Sequence, residues 1–437
     1  MGIIQASIPL FFLLIAAELL VAQLGRRPFY RLNDSISDLS AGTISQVAGV
    51  FTKVLLLGVF AWLFEHARVQ RLLPVPAWPD GPWRTASGAL DLRAAAGWCA
   101  AFVAVDFAYY WFHRASHEVN LFWAGHVVHH SSEEYNLAVA LRQSAVGGLL
   151  SWIFYAPLAL LGMAWEQFAV CYALNLVYQF WIHTRAIDRL PAWCEAVLNT
   201  PSHHRVHHGV NPEYQDRNYA GVFIVWDRWF GTYTPERQEP VYGLTTPLRS
   251  WNPLWVQIHQ YVAIARNVWF ARSWRDRGGY LFGSPGWRPA REGGPVVLPE
   301  VSRDTFTPFD PQVPRTLTWY ALAHFALVIP PALWYLAEAE SLPVGQLLAG
   351  AFYLALSLTN VGGVLEARRW AFASEQARLV ALTAAFAFMA VRVPAHWGTV
   401  GAVVCLASLA MLWRWRAAFT GESDERMDGD HAGAGRT

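Results

Sequence analysis

Eight apolar runs set the terms for this chain. They lie near Ile3–Ala22, Ala41–Phe64, Leu90–Phe112, Gly147–Trp181, Leu317–Ala337, Val344–Val364, Leu379–Val393 and Trp397–Trp413. Several approach the roughly 20 residues that a helix needs to cross a bilayer. Lipid offers the backbone no hydrogen-bond partners, so such runs must satisfy themselves as helices. Of the 437 residues, 54% are hydrophobic and only 15% charged. The 23 tryptophans suit a protein with two membrane interfaces to anchor. The predicted fold class is an all-α integral membrane protein, a multi-span helical bundle.

Histidines cluster where these runs end. Ten of the 15 fall in three groups: His113 and His117; His126, His129 and His130; and His183 with His203, His204, His207 and His208. The spacings are HxxxH, HxxHH and HHxxHH. Residues three and four apart share a helix face, so each group can aim its imidazoles at one point. That many nitrogen donors exceeds the needs of one tetrahedral zinc. It suits two metal ions side by side, and imidazole suits iron.

Other chemistries lack their residues. Glu118 follows the second histidine of HxxxH, which is the wrong place for the general base of a zinc protease. There is no GxSxG elbow, Walker loop, CxxCH or GxGxxG, and the four cysteines are scattered without a CxxC. Net charge is +1, so no basic field points to nucleic acid. A histidine-based metal transporter is the rival from another class. Transport predicts ionisable residues at mid-membrane depth, whereas these clusters sit at span ends.

The first run has no basic segment before it and is followed by Arg26, Arg27 and Arg31. It reads as a retained helix with its N-terminus outside, because basic residues mark the cytoplasmic side. Counting crossings then places every histidine cluster in the cytoplasm, with Gly147–Trp181 as a tight or partly inserted hairpin that returns to the face it left. Arg368, Arg369, Arg378, Arg414 and Arg416 fall inside, and Glu338 and Glu340 outside. Arg68, Arg71, Arg84 and Arg93 disagree, falling on the outer side. Arginine is nearly the sole basic residue, Lys53 being the one lysine. This points to a GC-rich genome and a bacterial inner membrane. The expected organisation is a catalytic region over 1–235, a cytoplasmic or interfacial cap over 236–314, C-terminal membrane helices over 315–416 and a disordered tail over 417–437. His324 and His396, isolated in the C-terminal region, read as partners of backbone or interface groups.

Residues Asp106 to His117, His126 to Asn136, Leu141-Arg142-Gln143 and Asn199 to Gly209 resemble the fatty acid hydroxylase and sterol desaturase superfamily. So do Asn218 to Gly221 and Trp226 to Thr232. Within it, the Leu-Arg-Gln and Asn-Thr-Pro-Ser-His-His segments are most similar to the alkylglycerol-oxidising group. The resemblance implies a di-iron site that uses O2 to hydroxylate a lipid C–H bond. In the alkylglycerol group this cleaves an ether, with tetrahydrobiopterin as reductant. A lipid or sterol desaturase or hydroxylase without ether cleavage is the alternative within the superfamily.

The resemblance carries the ligand role onto His113, His117, His126, His129, His130, His204, His207 and His208. His183 is the ninth ligand expected, and His203 is a tenth candidate in a run that is complete without it. Asp106 is expected to accept an imidazole N–H. Glu118 and Asn136 are the polar candidates for catalysis, Asn136 by orienting a metal-bound water. Arg142 is the candidate for a lipid headgroup. The expected partners are a membrane lipid, O2 and an external reductant or electron carrier, since the chain holds no electron-transfer motif.

Overall fold

The computed structural model describes residues 3–76, 78–79, 81–82, 89–392 and 395–420. Arg84 and the tail from 421 lie outside the described residues. Among the described residues there is no strand beyond an isolated antiparallel bridge between Leu198 and Phe223.

The chain divides into two compact units. The first comprises 1–248 and 257–307, and the second 249–256 and 308–437. Among the described residues, six helices are long and apolar enough to cross a membrane. In the first unit these are α1 (Ile3–Leu24), α2 (Leu32–Ala67) and α3 (Leu92–Glu118). α2 begins nine residues before the apolar run because its first turns bury polar groups. Asp34 and Asp38 both accept from the Ser132 hydroxyl, at 2.7 and 3.3 Å.

α3 is capped by Asp91, whose carboxylate accepts the Ala94 N–H at 3.0 Å. It ends where Val119 turns extended, and α4 (Asn120–His130) starts at once. The corner is pinned from outside: the Asn120 side chain donates to the Tyr280 carbonyl at 2.8 Å, and its N–H to the Gly283 carbonyl.

The run Gly147–Trp181 is a hairpin of unequal arms, α5 (Trp152–Leu160) and α6 (Trp165–Trp181). Gly162 makes the turn with φ of +90°, a conformation that glycine adopts without a Cβ penalty. Nine residues at 1.5 Å each cannot span a ~30 Å hydrocarbon layer, so α5 is too short to cross by itself. Between bilayer-buried helices the driving force is close packing rather than water exclusion. Phe60 and Phe168 stack at 4.3 Å in a core shared by α2, α3, α5 and α6, with Ala101, Val105 and Met163. Phe11 stacks on Phe180 at 4.2 Å and ties α1 to α6.

Three short helices follow, α7 (Ala192–Val197), α8 (Pro201–His207) and α9 (Val225–Phe230). α10 (Pro253–Phe270) and α11 (Trp274–Phe282) come next.

The second unit is dominated by α12 (Arg315–Glu338), α13 (Val344–Leu365), α14 (Arg369–Arg392) and α15 (Ala395–Arg414). A closed polar network lies inside it. Arg378 donates to Glu375 at 2.6 Å, and Tyr320 and Asn360 donate to the same carboxylate at 2.7 and 3.0 Å. His324 lies 3.0 Å from Arg378 and 3.1 Å from the Ser408 hydroxyl. The expected tail begins with a short turn at Arg416–Phe419.

Candidate metal centre

Among the described residues, nine histidines converge, in two groups. The first is His113, His117, His126, His130 and His207; the second is His129, His183, His204 and His208. Within each group the available ligand nitrogens lie within 4.8 Å of one another. The groups abut, since the His130 and His208 rings stack at 4.4 Å.

Helix geometry accounts for the assignment. His113 and His117 are one turn apart on the last turns of α3, and α4 turns back to face them. On α4, His126 and His130 are four apart and join the first group, while His129 lies some 100° round the axis and joins the second. α8 splits likewise, sending His207 to one group and His204 with His208 to the other. Pro201 opens α8 at a position where its missing N–H costs nothing. His183 follows the end of α6.

The ring nitrogens show what the groups are built for. His129 Nδ1 lies 3.0 Å from the Arg142 carbonyl, and His183 Nδ1 lies 2.7 Å from the Gln179 carbonyl. A carbonyl only accepts, so both Nδ1 atoms carry the proton and both Nε2 atoms present a lone pair. Those two Nε2 atoms are 3.1 Å apart, and His204 Nε2 is 3.0 Å from His183 Nε2. In the first group, His113 Nδ1 lies 2.7 Å from the Tyr219 carbonyl, which aims its Nε2 at His126 Nε2, 2.9 Å away. His126 Nε2 and His130 Nε2 are 3.1 Å apart. The Nε2 atoms of His117, His207 and His208 are buried and have no hydrogen-bond partner among the described residues.

Facing lone pairs at such distances repel unless a cation lies among them. A proton is a poor candidate. Burial disfavours the charged imidazole and holds His126, His130, His183, His204, His207 and His208 well below the ordinary histidine range. Burial likewise pulls His129 down to about 4. The donor set therefore fits metal ions, with neutral imidazoles throughout.

The remaining candidates stand elsewhere. His203 joins neither group. Its Nε2 is 3.1 Å from Glu195 and its Nδ1 3.3 Å from the Thr200 hydroxyl, on the far side of α8. Burial alone would raise the Glu195 carboxyl, but hydrogen bonds from His203, Ser202, the Leu190 N–H and Thr200 outweigh it and pull the group to about 2. Glu118 points outward and pairs with Arg114 at 2.8 Å, one turn back along α3. The Asn136 amide is already engaged, donating to the Phe29 carbonyl at 2.8 Å and accepting the Ala138 N–H at 2.9 Å.

Arg142 is fully buried, so it does not face a headgroup. It pairs with Asp38 at 3.0 Å and donates to the Val128 carbonyl at 2.7 Å and to Ser37 and Ser131. Its own carbonyl orients His129. Asp106 likewise takes no imidazole N–H. It accepts the backbone N–H groups of Val222 and Phe223, the Trp226 indole N–H and the Asn175 amide. Asp38, remote in sequence and without a motif, is the supporting residue that sequence reasoning missed.

Residues 98–232 match the fatty acid hydroxylase family model. The chain is 39% identical to the alkylglycerol monooxygenase of Homo sapiens over 368 residues, covering 84% of this chain and 78% of that protein. It is 38% identical to that of Xenopus tropicalis, covering 82% and 76%, and 36% identical to that of Danio rerio, covering 86% and 80%. No solved structure matches it. With six apolar helices and a nine-histidine centre, the chain belongs to the alkylglycerol monooxygenase family, within the fatty acid hydroxylases, and is an integral membrane monooxygenase that uses O2 on a lipid.

Proposed function

We propose that this chain cleaves the ether bond of alkylglycerols by hydroxylating the carbon beside the ether oxygen. The observation that carries the reading is the pair of abutting all-histidine groups with facing lone pairs, in a chain whose relatives are named for this substrate. His113, His117, His126, His130 and His207 would hold one iron, and His129, His183, His204 and His208 the other. Iron bound there supplies the reduction of O2 and the oxidant for the C–H bond.

The chain's own residues fix where this happens. Backbone carbonyls of Tyr219, Arg142, Gln179 and Arg217 fix the tautomers of His113, His129, His183 and His207. Burial keeps water away from the reacting carbon. In the overall reaction, one atom of O2 enters the C–H bond as a hydroxyl. The other leaves as water, with two protons and two electrons from a reductant, which we take to be tetrahydrobiopterin. The resulting hemiacetal then collapses to a fatty aldehyde and glycerol.

The arginine bias and the positions of the basic loops support a bacterial inner membrane with the site on the cytoplasmic face. The same reading assigns catalysis to 1–235, an interfacial cap to 236–314 and a supporting role to the helices of 315–416.

The test is lipid analysis of cells with and without the gene, together with purified protein given an alkylglycerol, O2 and tetrahydrobiopterin. Accumulated alkylglycerols in the deletion strain, and aldehyde formed in vitro, are expected. Unchanged ether lipids with loss of hydroxylated acyl chains would replace ether cleavage by plain hydroxylation.

A further inference from the structure

Two segments singled out in the sequence, Asn218–Gly221 and Trp226–Thr232, give no ligand to either histidine group. They nonetheless lie against one of them. His207 Nδ1 donates to the Arg217 carbonyl at 2.9 Å, and His113 Nδ1 to the Tyr219 carbonyl at 2.7 Å. His117 Nδ1 lies 3.5 Å from the Asp216 carboxylate. Two of the five histidines in the first group thus take a hydrogen-bond partner from residues 216–219, and a third faces the Asp216 carboxylate. The second group draws on other chain segments, Arg142 for His129 and Gln179 for His183.

This stretch is held in an uncommon conformation. Asp216 and Asn218 both have φ of +56°, in the left-handed region that, glycine apart, is visited mainly by Asn and Asp. Such a backbone persists only when its surroundings over-determine it, and here they do. The buried Asn218 amide donates to the carbonyls of His203 and Thr234, at 3.0 and 2.8 Å, and accepts the Thr234 N–H at 2.8 Å. The Asp227 carboxylate accepts the N–H groups of Tyr219 and Ala220, both at 2.8 Å, and the Thr232 hydroxyl at 2.6 Å. Asp106 holds the next residues from α3. A side chain at Gly221 would meet that carboxylate at 2.7 Å, so only glycine lets the strand of backbone pass.

We infer that residues 216–219 are a dedicated support for the first histidine group, with Asn218 and Asp227 as positioning residues, so that its metal is gained and lost independently of its neighbour's. The inference rests on the two-metal reading above. It adds that the two positions are unequal. Among the described residues, only the first has a carboxylate facing one of its histidines, and that carboxylate, Asp216, is 67% exposed.

The experiment is cobalt titration of metal-free protein, followed by absorption in the visible and by metal analysis. Wild type comes first: binding of fewer than two cobalt ions would overturn the two-metal reading itself. Asn218→Gly keeps the left-handed backbone affordable but deletes the side-chain clamp. It is expected to bind one cobalt with normal affinity and the other about 10–100-fold more weakly. Its helical circular dichroism should match wild type.

Asp216→Asn, on an exposed side chain, is the companion that leaves folding alone. It should keep both ions and change the bands of one. Asp227→Asn, which retains one acceptor oxygen, should weaken the same ion as Asn218→Gly, but less. Equal weakening of both ions in folded Asn218→Gly, or wild-type spectra in both Asn218→Gly and Asp216→Asn, would overturn the inference.

Discussion

The two histidine groups share a wall of stacked rings but are supported in different ways. The first leans on a left-handed loop that reaches water at Asp216. The second is enclosed and leans on the carbonyls of Arg142 and Gln179. The Arg142 carbonyl is in turn fixed by a fully buried guanidinium paired with Asp38 on α2. Two groups built of identical imidazoles can therefore still have different weak points, one in a loop and one in a buried ion pair.

The comparison breaks most sharply at the ligands. His129→Ala should abolish alkylglycerol turnover, by more than about 100-fold. Metal analysis should show the ion of the second group gone. If the same loss of activity came with both ions retained, His129 would not be a ligand.

The buried ion pair comes next. Arg142→Met leaves Asp38 without its partner, and breaking a buried pair costs about 3–5 kcal/mol. A large fall in thermal stability is expected, together with weaker binding in the second group. Unchanged stability would show that Arg142 does not brace it.

The pH dependence is a smaller effect with a definite sign. Imidazole binds metal only when neutral, and burial holds the second group neutral, with His129 at about 4. Metal should stay bound as pH falls through the ordinary histidine range near 6.5 and leave only towards about 4. In the unfolded chain these histidines protonate near 6.5, so the metal-free fold loses stability as pH drops below that value. Release of metal already at pH 6.5 in dialysis would contradict the buried environment.

The smallest effects test the residues that stand apart. His203→Gln and Glu118→Gln should keep both ions, with turnover changed less than about 10-fold, since neither side chain reaches a ligand nitrogen. Loss of an ion from His203→Gln would return it to the ligand set.

These contrasts show what could be read in the sequence. Spacings of three and four on one helix predicted which histidines converge, because the helix itself carries that geometry. His183 was reached by topology, through a hairpin that returns to its starting face. What the spacing could not show was direction. In His203-His204, one ring must turn away, and only the position of Glu195 decides which. Glu118 is next to a ligand in sequence yet points about 100° away from it, to Arg114. Arg142 and Asn136 looked available because their partners, Asp38 and the Phe29 carbonyl, lie about a hundred residues distant. The motif around Asn218 was visible, but its purpose depends on left-handed backbone and on hydrogen bonds to Thr234 and His203 that no local pattern encodes.

The central claim is that nine histidines hold two metals, and iron quantification of the purified wild-type chain beside His129→Ala and His117→Ala tests it most directly. One iron for each of the two groups is expected in wild type, with loss of a different one in each variant. A single metal in wild type, untouched by either substitution, would contradict it.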